Sequence, residues 1–374
     1  AFVLFFIAWL HLICRLSHQR CQQAIVYITY IIKHLHQLKH QVDFHNQVPK
    51  DICTITKHLG LDIEFKEFVC CKKCYSLYDI EVAPFECTYQ VVSDADACAE
   101  DLFSPHTFKE SDSVPRASKH TPKCPQVQLI PHATNPASVF IFQSFKSWLG
   151  WFLKFVEVET SIDNWSSHLS LMPEDLVIDI QQLKAWKKLF PSSQSLSSTT
   201  PLPLELAFSL FIDWYNPLGN KIAGKQKSMG IISLNCLNLH PSIQYKPCFM
   251  YLVVPLPNQP DMVMISHILQ PLVDSLLELN EGAIMLMNQF PFGWRVKVRL
   301  LALIGDIVAT HKVGGFTSHS GQFFCSWCKV RNSKISNLEV GAIQEKQQTL
   351  AQAQGWNDLN TISSKEKLLK KTGV

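Results

Sequence analysis

The chain has 374 residues, 47% of them hydrophobic, and a formal net charge of +3. That length allows two or three domains with a sizeable core in at least one, which excludes a disordered tail, while so small a net charge does not by itself mark a nucleic-acid binder. Thirteen cysteines, irregularly spaced but including two Cys-x-x-Cys pairs, argue against a secreted disulfide framework and for metal binding in a reducing compartment, nuclear or cytosolic.

Residues 1–66 read as a helical region. Its opening run, AFVLFFIAWLHLIC, is interrupted by His11 and Arg15 well short of the roughly 20 apolar residues that a membrane span requires. It also lacks the basic leader of a signal peptide. A buried helical hairpin is therefore expected, with no membrane partner. Ile25, Ile28, Ile31, Ile32 and Leu35 recur at helical spacing, and residues 1–40 hold no Asp or Glu. His34, His36 and His40 read as a solvated helix face and not as a ligand set.

Residues 67–110 form a cysteine-rich, zinc-ribbon-like module. Cys71-x-x-Cys74, followed by Cys87 and Cys98, supplies four thiolates, the ligand number of a closed tetrahedral zinc site. Cys70 competes with Cys71 for the first place, and buried free thiols are the alternative to a metal. Lys72, Lys73, Tyr75 and Tyr78 suit phosphate and base contacts. Residues 111–140 read as a linker, because the Ser, Pro, Lys, His and Thr of Ser111 to Pro136 cannot pack a core. Residues 141–190 read as helical. Their leading helix, Phe142 to Phe155, puts Phe145, Trp148, Leu149 and Phe152 on one face. Residues 191–203 form a second linker.

From residue 204 the pattern changes to strands: Leu206 to Asp213, Met229 to Leu239 and Cys248 to Leu256, separated by turn residues such as Asn216-Pro217 and Gly219-Asn220. An amphipathic helix follows from Asp261 to Leu279, with Ile265, Ile268, Leu269, Leu272, Val273, Leu276 and Leu277 at its period despite Pro271. A fourth strand, VRLLALIGD, ends at Asp306. Three strands, a helix and a strand open a ribonuclease-H-like α/β core, here incomplete and spanning 204–330. An Asp closes both the first and the fourth strand. Two-metal phosphoryl transfer needs carboxylates on neighbouring strands, so Asp213 and Asp306 are candidate catalytic ligands of Mg²⁺ or Mn²⁺. On the pattern alone the plainer reading, an Asp that starts a turn after a strand, is the commoner one.

The segment SLFIDWYNPLGNKIAGKQKSMGIISLNCLNLHPSIQYKP resembles the first-strand region of CACTA-type DDE transposases, particularly the fungal Plavaka-like group. GDIVATHKVGGFTSHSGQFFCSWC is similar to that group's second block. VCCKKCYSLY and FQSFKSWL extend the resemblance, in order, over most of the chain. It implies that Asp213 and Asp306 are the first two acids of a DDE/D triad. The chemistry implied is cleavage of double-stranded DNA at transposon ends and strand transfer, in the nucleus, with a homo-oligomer as a possible assembly and no small-molecule substrate. The second block departs from the group's pattern at Asp306-Ile-Val-Ala and His311-Lys312-Val313-Gly314-Gly315-Phe316. Cys325-x-x-Cys328 reads as half of a second zinc site, with His319 upstream as a third ligand or with the remaining ligands beyond Val374. Residues 331–374 read as a helical, truncated segment. Its Glu339, Glu345 and Glu366 sit in no resembling context and read as solvated helix residues. With no third acid, little or no strand cleavage is expected of this polypeptide. The competing expectation is a non-catalytic, zinc-dependent DNA- or protein-binding module derived from such an element.

Overall fold

The computed structural model describes residues 2–12, 14, 16–37, 51–59, 65–104, 135–173, 175–190, 202–216, 229–256 and 260–374. The chain divides into two compact units, 1–64 and 65–374. Most of both expected linkers, Pro217, the Gly219-Asn220 turn, His40, and the side chains of Ile32, His34, Leu35 and His36 lie outside the described residues.

The first unit holds three helices, α1 (Phe2–Leu12), α2 (His18–Gln37) and α3 (Ile52–His58). Ile7 and Ala8 of α1, Cys21 and Ile25 of α2, and Ile52 and Ile55 of α3 make its core. Asp51 caps α3 by accepting the Thr54 N–H at 2.8 Å. The hydrogen bonds from Thr54 hold this carboxyl below its ordinary range. Three helices stand where a buried helical hairpin was expected, and the apolar period overstated burial: Ile31 is exposed, as are Phe5, Trp9 and Leu12.

The second unit begins with an antiparallel sheet of order β2-β1-β3, made of β1 (Phe65–Cys70), β2 (Leu77–Asp79) and β3 (Val139–Gln143). Helices α4 (Phe145–Phe152), α5 (Val156–Ser170) and α6 (Lys184–Leu189) follow. The helix expected from Phe142 thus starts later. Phe142 belongs to β3, and Ser144 caps α4 by accepting the Ser147 N–H at 3.2 Å. A Ser cap satisfies a free helix-end donor, which fixes the boundary. Likewise β1 starts at Phe65, inside the region expected to be helical.

The main sheet comes next in sequence: β4 (Leu204–Tyr215), β5 (Met229–Cys236), α7 (Pro241–Gln244), β6 (Met250–Leu256), α8 (Met262–Glu281), β7 (Ala283–Met285) and β8 (Trp294–Ile304), then α9 (Ile307–Gly314), α10 (Lys346–Asn357) and α11 (Ile362–Thr372). Its order is β6-β5-β4-β8-β7. β4 runs antiparallel to β5 and parallel to β8, and the other neighbours are antiparallel. A parallel pair needs a long crossover, and here the passage from β4 to β8 runs through β5, β6 and α8. Strand alternation sends Leu204, Leu206, Phe208, Leu210 and Ile212 of β4 into the core with Ile232 and Leu234 of β5. α4 and α8 cover that face through Phe145, Trp148, Leu149 and Phe152, and through Ile265, Ile268, Leu269 and Leu272. Val273 and Leu277, expected on the buried stripe of α8, are exposed. α8 is long and apolar enough to cross a membrane by length and composition, yet its buried side is packed on this sheet.

Cys236 is fully buried at the end of β5, and burial pushes its thiol up to about 12. A buried, protonated thiol is a poor nucleophile. A thiol-specific reagent is expected to modify exposed Cys14, Cys53 and Cys248 at once and Cys236 only under denaturant. Peptide mapping by mass spectrometry checks this, and prompt labelling of Cys236 in the native chain would contradict the packing.

Candidate metal centres

Cys71, Cys74, Cys87 and Cys98 converge, with all four sulfurs within 4.8 Å of one another. The Cys71 and Cys98 sulfurs are 3.8 Å apart, and those of Cys74 and Cys87 are 3.4 Å apart. A tetrahedron with metal–sulfur bonds of about 2.3 Å has edges of about 3.8 Å, so the set fits one metal ion such as zinc. Cys70 does not compete. Its side chain turns into the main core and its thiol donates to the Cys71 carbonyl.

Two tight turns bring the ligands together. Cys71 directly follows β1, its sulfur accepts the Cys74 N–H at 3.5 Å, and Tyr75 follows with φ of +61°. Cys87 and Cys98 are joined across a small hairpin, with the Cys98 N–H on the Tyr89 carbonyl and the Ala99 N–H on the Cys87 carbonyl. Ala99 has φ of +52°. A non-glycine residue in the left-handed region costs roughly 1–2 kcal/mol, a strain that persists where surrounding structure dictates the turn. Both strained residues directly follow a cysteine of the cluster. The irregular 87-to-98 spacing thus closes by a hairpin and not by a second Cys-x-x-Cys.

The protons of the cluster are unequally held. Burial raises the Cys74 and Cys98 thiols. Burial opposes ionisation of Cys87 too, but hydrogen bonds from the Tyr78 hydroxyl, the Tyr89 backbone and the neighbouring thiols outweigh it and leave Cys87 below the ordinary thiol value. Ionisation of Cys87 is thus easier than that of Cys74 or Cys98, and metal binding would displace the protons that the thiols still hold.

His267 of α8 was not legible as part of this site. Its Nδ1 lies 2.9 Å from the Cys74 carbonyl and 3.2 Å from the Ser76 hydroxyl. A carbonyl only accepts, so Nδ1 carries the proton and donates to it. The ring also stands edge-on to Tyr89 at 4.4 Å. Ser76 in turn accepts from the Cys74 thiol at 3.2 Å. One histidine thereby ties the turn that presents Cys74 to the helix that covers the main sheet.

Asp213 and Asp306 lie at a different place, the C-terminal ends of β4 and β8. The last paired residues of these parallel strands are Phe211 and Ile304. Two residues beyond each come the two acids, both exposed. Gly305 permits this closeness, because a Cβ there would lie 2.5 Å from the Ile212 carbonyl oxygen. Asp213 does not close its strand as expected, since pairing with β5 continues to Tyr215; its carboxylate accepts the Trp214 N–H at 2.8 Å. Asp306 is past the end of β8 and caps α9, accepting the Ala309 N–H at 2.6 Å. Among the described residues, the four cysteines are the one group of three or more potential ligands that converges, so no third acid joins this pair.

The capping role separates structure from charge. Asp306→Ala is expected to cost about 1 kcal/mol by leaving the α9 end unpaired, whereas Asp306→Asn, an equally good cap, stays close to wild type. Urea melts of the two variants check this; equal destabilisation would contradict the cap.

Cys325 and Cys328 place their sulfurs 3.7 Å apart. Backbone hydrogen bonds from Val330 and Gly341 hold the Cys328 thiol below its ordinary value. His319 is exposed and does not converge with them. Glu339, Glu345 and Glu366 are exposed as expected, but Glu366 alone of the three lies within a helix: Glu345 sits at the N-cap of α10 and Glu339 in the irregular segment before it. No protein-family model matches the chain, and a search of curated proteins returns no match either.

Proposed function

We propose that the chain carries the nuclease core of a cut-and-paste DNA transposase, of ribonuclease-H-like type, together with a zinc-stapled cysteine module, and that it works on duplex DNA in the nucleus. The observation that carries this reading is the register of β4 and β8, which sets Asp213 and Asp306 side by side at the same end of two parallel strands. The strand order β6-β5-β4-β8, with α8 as the crossover, supports it. Mg²⁺ takes one or two carboxylates and keeps waters, so this pair suffices to hold one ion. Bound there, the ion would polarise a phosphodiester oxygen and lower the pKa of an attacking water. Asp213 contributes an exposed carboxylate from a rigid strand, and Asp306 is oriented by its cap to Ala309. Cleavage by this polypeptide is proposed to be negligible, because no third carboxylate converges with the pair among the described residues.

One observation favours a second reading, a non-catalytic zinc-dependent binding module: the thiol set is complete while the acid set has only two members. Duplex-DNA affinity of zinc-loaded protein, with and without added Mg²⁺ at constant ionic strength, separates the two. The nuclease reading expects Mg²⁺ to raise affinity several-fold in wild type but not in Asp213→Asn or Asp306→Asn, with nicking at background throughout. Binding indifferent to Mg²⁺ and to both substitutions supports the module, and robust Mg²⁺-dependent nicking overturns the claim of an incomplete site.

A further inference from the structure

Cys325 and Cys328 are geometrically prepared for a metal, yet they are only half of a site. Their 3.7 Å separation matches the edge of about 3.8 Å in a tetrahedral thiolate site. A short hairpin presents them. Cys328 pairs with Ile343, the Lys329 N–H donates to the Ala342 carbonyl, and the Gln344 N–H donates to the Trp327 carbonyl. Gln344 also holds the Cys325 carbonyl through its side-chain amide at 3.2 Å. The two arms approach so closely that a Cβ at Gly341 would lie 2.6 Å from the Val330 nitrogen. The knuckle is therefore rigid, and among the described residues no third ligand converges on it.

The surroundings of this half-site are unusual for a water-facing hairpin. Trp327, between the two cysteines, is 81% exposed, and Val340 and Ile343 on the opposing arm are 79% and 66% exposed. Leu338, just before that arm, is 90% exposed. Large apolar side chains gathered on one element mark an association surface. A twofold axis through a metal at the knuckle would bring a second pair of thiolates and the same apolar side chains from another copy. That completes the four ligands of a closed zinc site and covers the patch with its own kind, the self-complementary contact of a twofold dimer.

We propose that one Zn²⁺ ion held by Cys325 and Cys328 of two chains, with Trp327, Val340 and Ile343 packed around it, joins this protein into a dimer. On binding, each chain gives up the protons of its two thiols and the ion stays Zn²⁺ throughout, so no oxidant is involved. The proposal is independent of the nuclease reading and of the four-cysteine cluster, because the test compares chains that differ only at the knuckle.

The test measures mass by light scattering and zinc content by elemental analysis on the full chain, loaded with Zn²⁺ in a non-thiol reductant. Wild type is expected to be a dimer, and Cys325→Ser/Cys328→Ser a monomer that has lost about half a zinc ion per chain, the share of a site filled by two chains. Trp327→Ser, which leaves the ligands intact, is expected to weaken the dimer at least tenfold. A wild-type monomer that loses one full zinc per chain in the double variant would overturn the proposal, since the site would then be finished within the chain. So would a dimer whose mass and zinc content are unchanged by the double variant.

Discussion

Cys87→Ser is expected to abolish metal binding at the cysteine cluster and to unfold the module around it. Zinc in small modules of this kind supplies roughly 10–16 kcal/mol of apparent binding energy that is also folding energy. The module has a small core to hold it: among the described residues, Val69 and Leu102 are the buried non-cysteine members of its cluster, with Tyr78, Ala83, Tyr89 and Phe103 partly buried against them. Cys87 carries more than a ligand's share, because it lies 3.3 Å from the Tyr78 hydroxyl, and hydrogen bonds hold its thiol below the ordinary value. Hydrogen exchange should show residues 71–103 losing protection while β4, β5 and β8 keep theirs, since those strands share a separate core. Zinc content should fall by about one ion per chain, because a closed site with three thiolates left is a poor trap. Full protection in the metal-free variant would mean that the thiols are an ordinary buried cluster. Acidification should act in the same direction, because protons compete for the thiolates and release the metal.

Phe145→Ala is the second large effect, expected to cost about 3–5 kcal/mol. Phe145 is fully buried at the start of α4. Its ring stacks on Trp148 at 5.7 Å and meets Phe208 and Tyr251 edge-on at 5.4 and 5.0 Å. Removing it opens a cavity where α4 meets β4 and β6, and the rigid aromatic neighbours can collapse only in part. Against a typical domain stability of about 5–15 kcal/mol this is a large fraction. Phe292→Ala is the control: Phe292 is 98% exposed, and its loss should fall within about 0.5 kcal/mol of wild type. Denaturant melts of the two variants check the contrast, and equal stabilities would contradict the packing of α4 on the sheet.

Local periodicity made some of this architecture legible. The four apolar residues of α4 repeat at helical spacing and all are buried, and β4, β5 and β6 appear near their expected places. Where two elements abut, pattern failed. Val139–Gln143 is an apolar run directly before α4, and its strand character comes from pairing with β1, far away in sequence. β7 is three residues long and too short to show alternation. Asp306 read as the end of a strand because apolar residues lead up to it, whereas its side chain starts α9.

The sites divide in the same way. Cys71 and Cys74 announce themselves by spacing, and Cys87 and Cys98 could be named from cysteine count, but the hairpin that joins them is a tertiary fact. His267 lies far along the chain from Cys74 and no local signal links the two. The alignment of Asp213 with Asp306 depends on the β4–β8 register, including the irregularity between Phe208 and Ser209. His319 was grouped with Cys325 and Cys328 on proximity in sequence, and the fold does not bring it to them.

The most direct measurement is Mn²⁺ binding by electron paramagnetic resonance, using zinc-loaded wild type, Asp213→Asn and Asp306→Asn. Mn²⁺ reports the oxygen ligands that Mg²⁺ would use. If the two acids form one metal site, wild type binds a Mn²⁺ ion that each single substitution removes, with folding intact in all three proteins. If Mn²⁺ binding is absent from wild type, or survives both substitutions, Asp213 is an ordinary exposed strand residue and Asp306 a helix cap, and the nuclease reading falls.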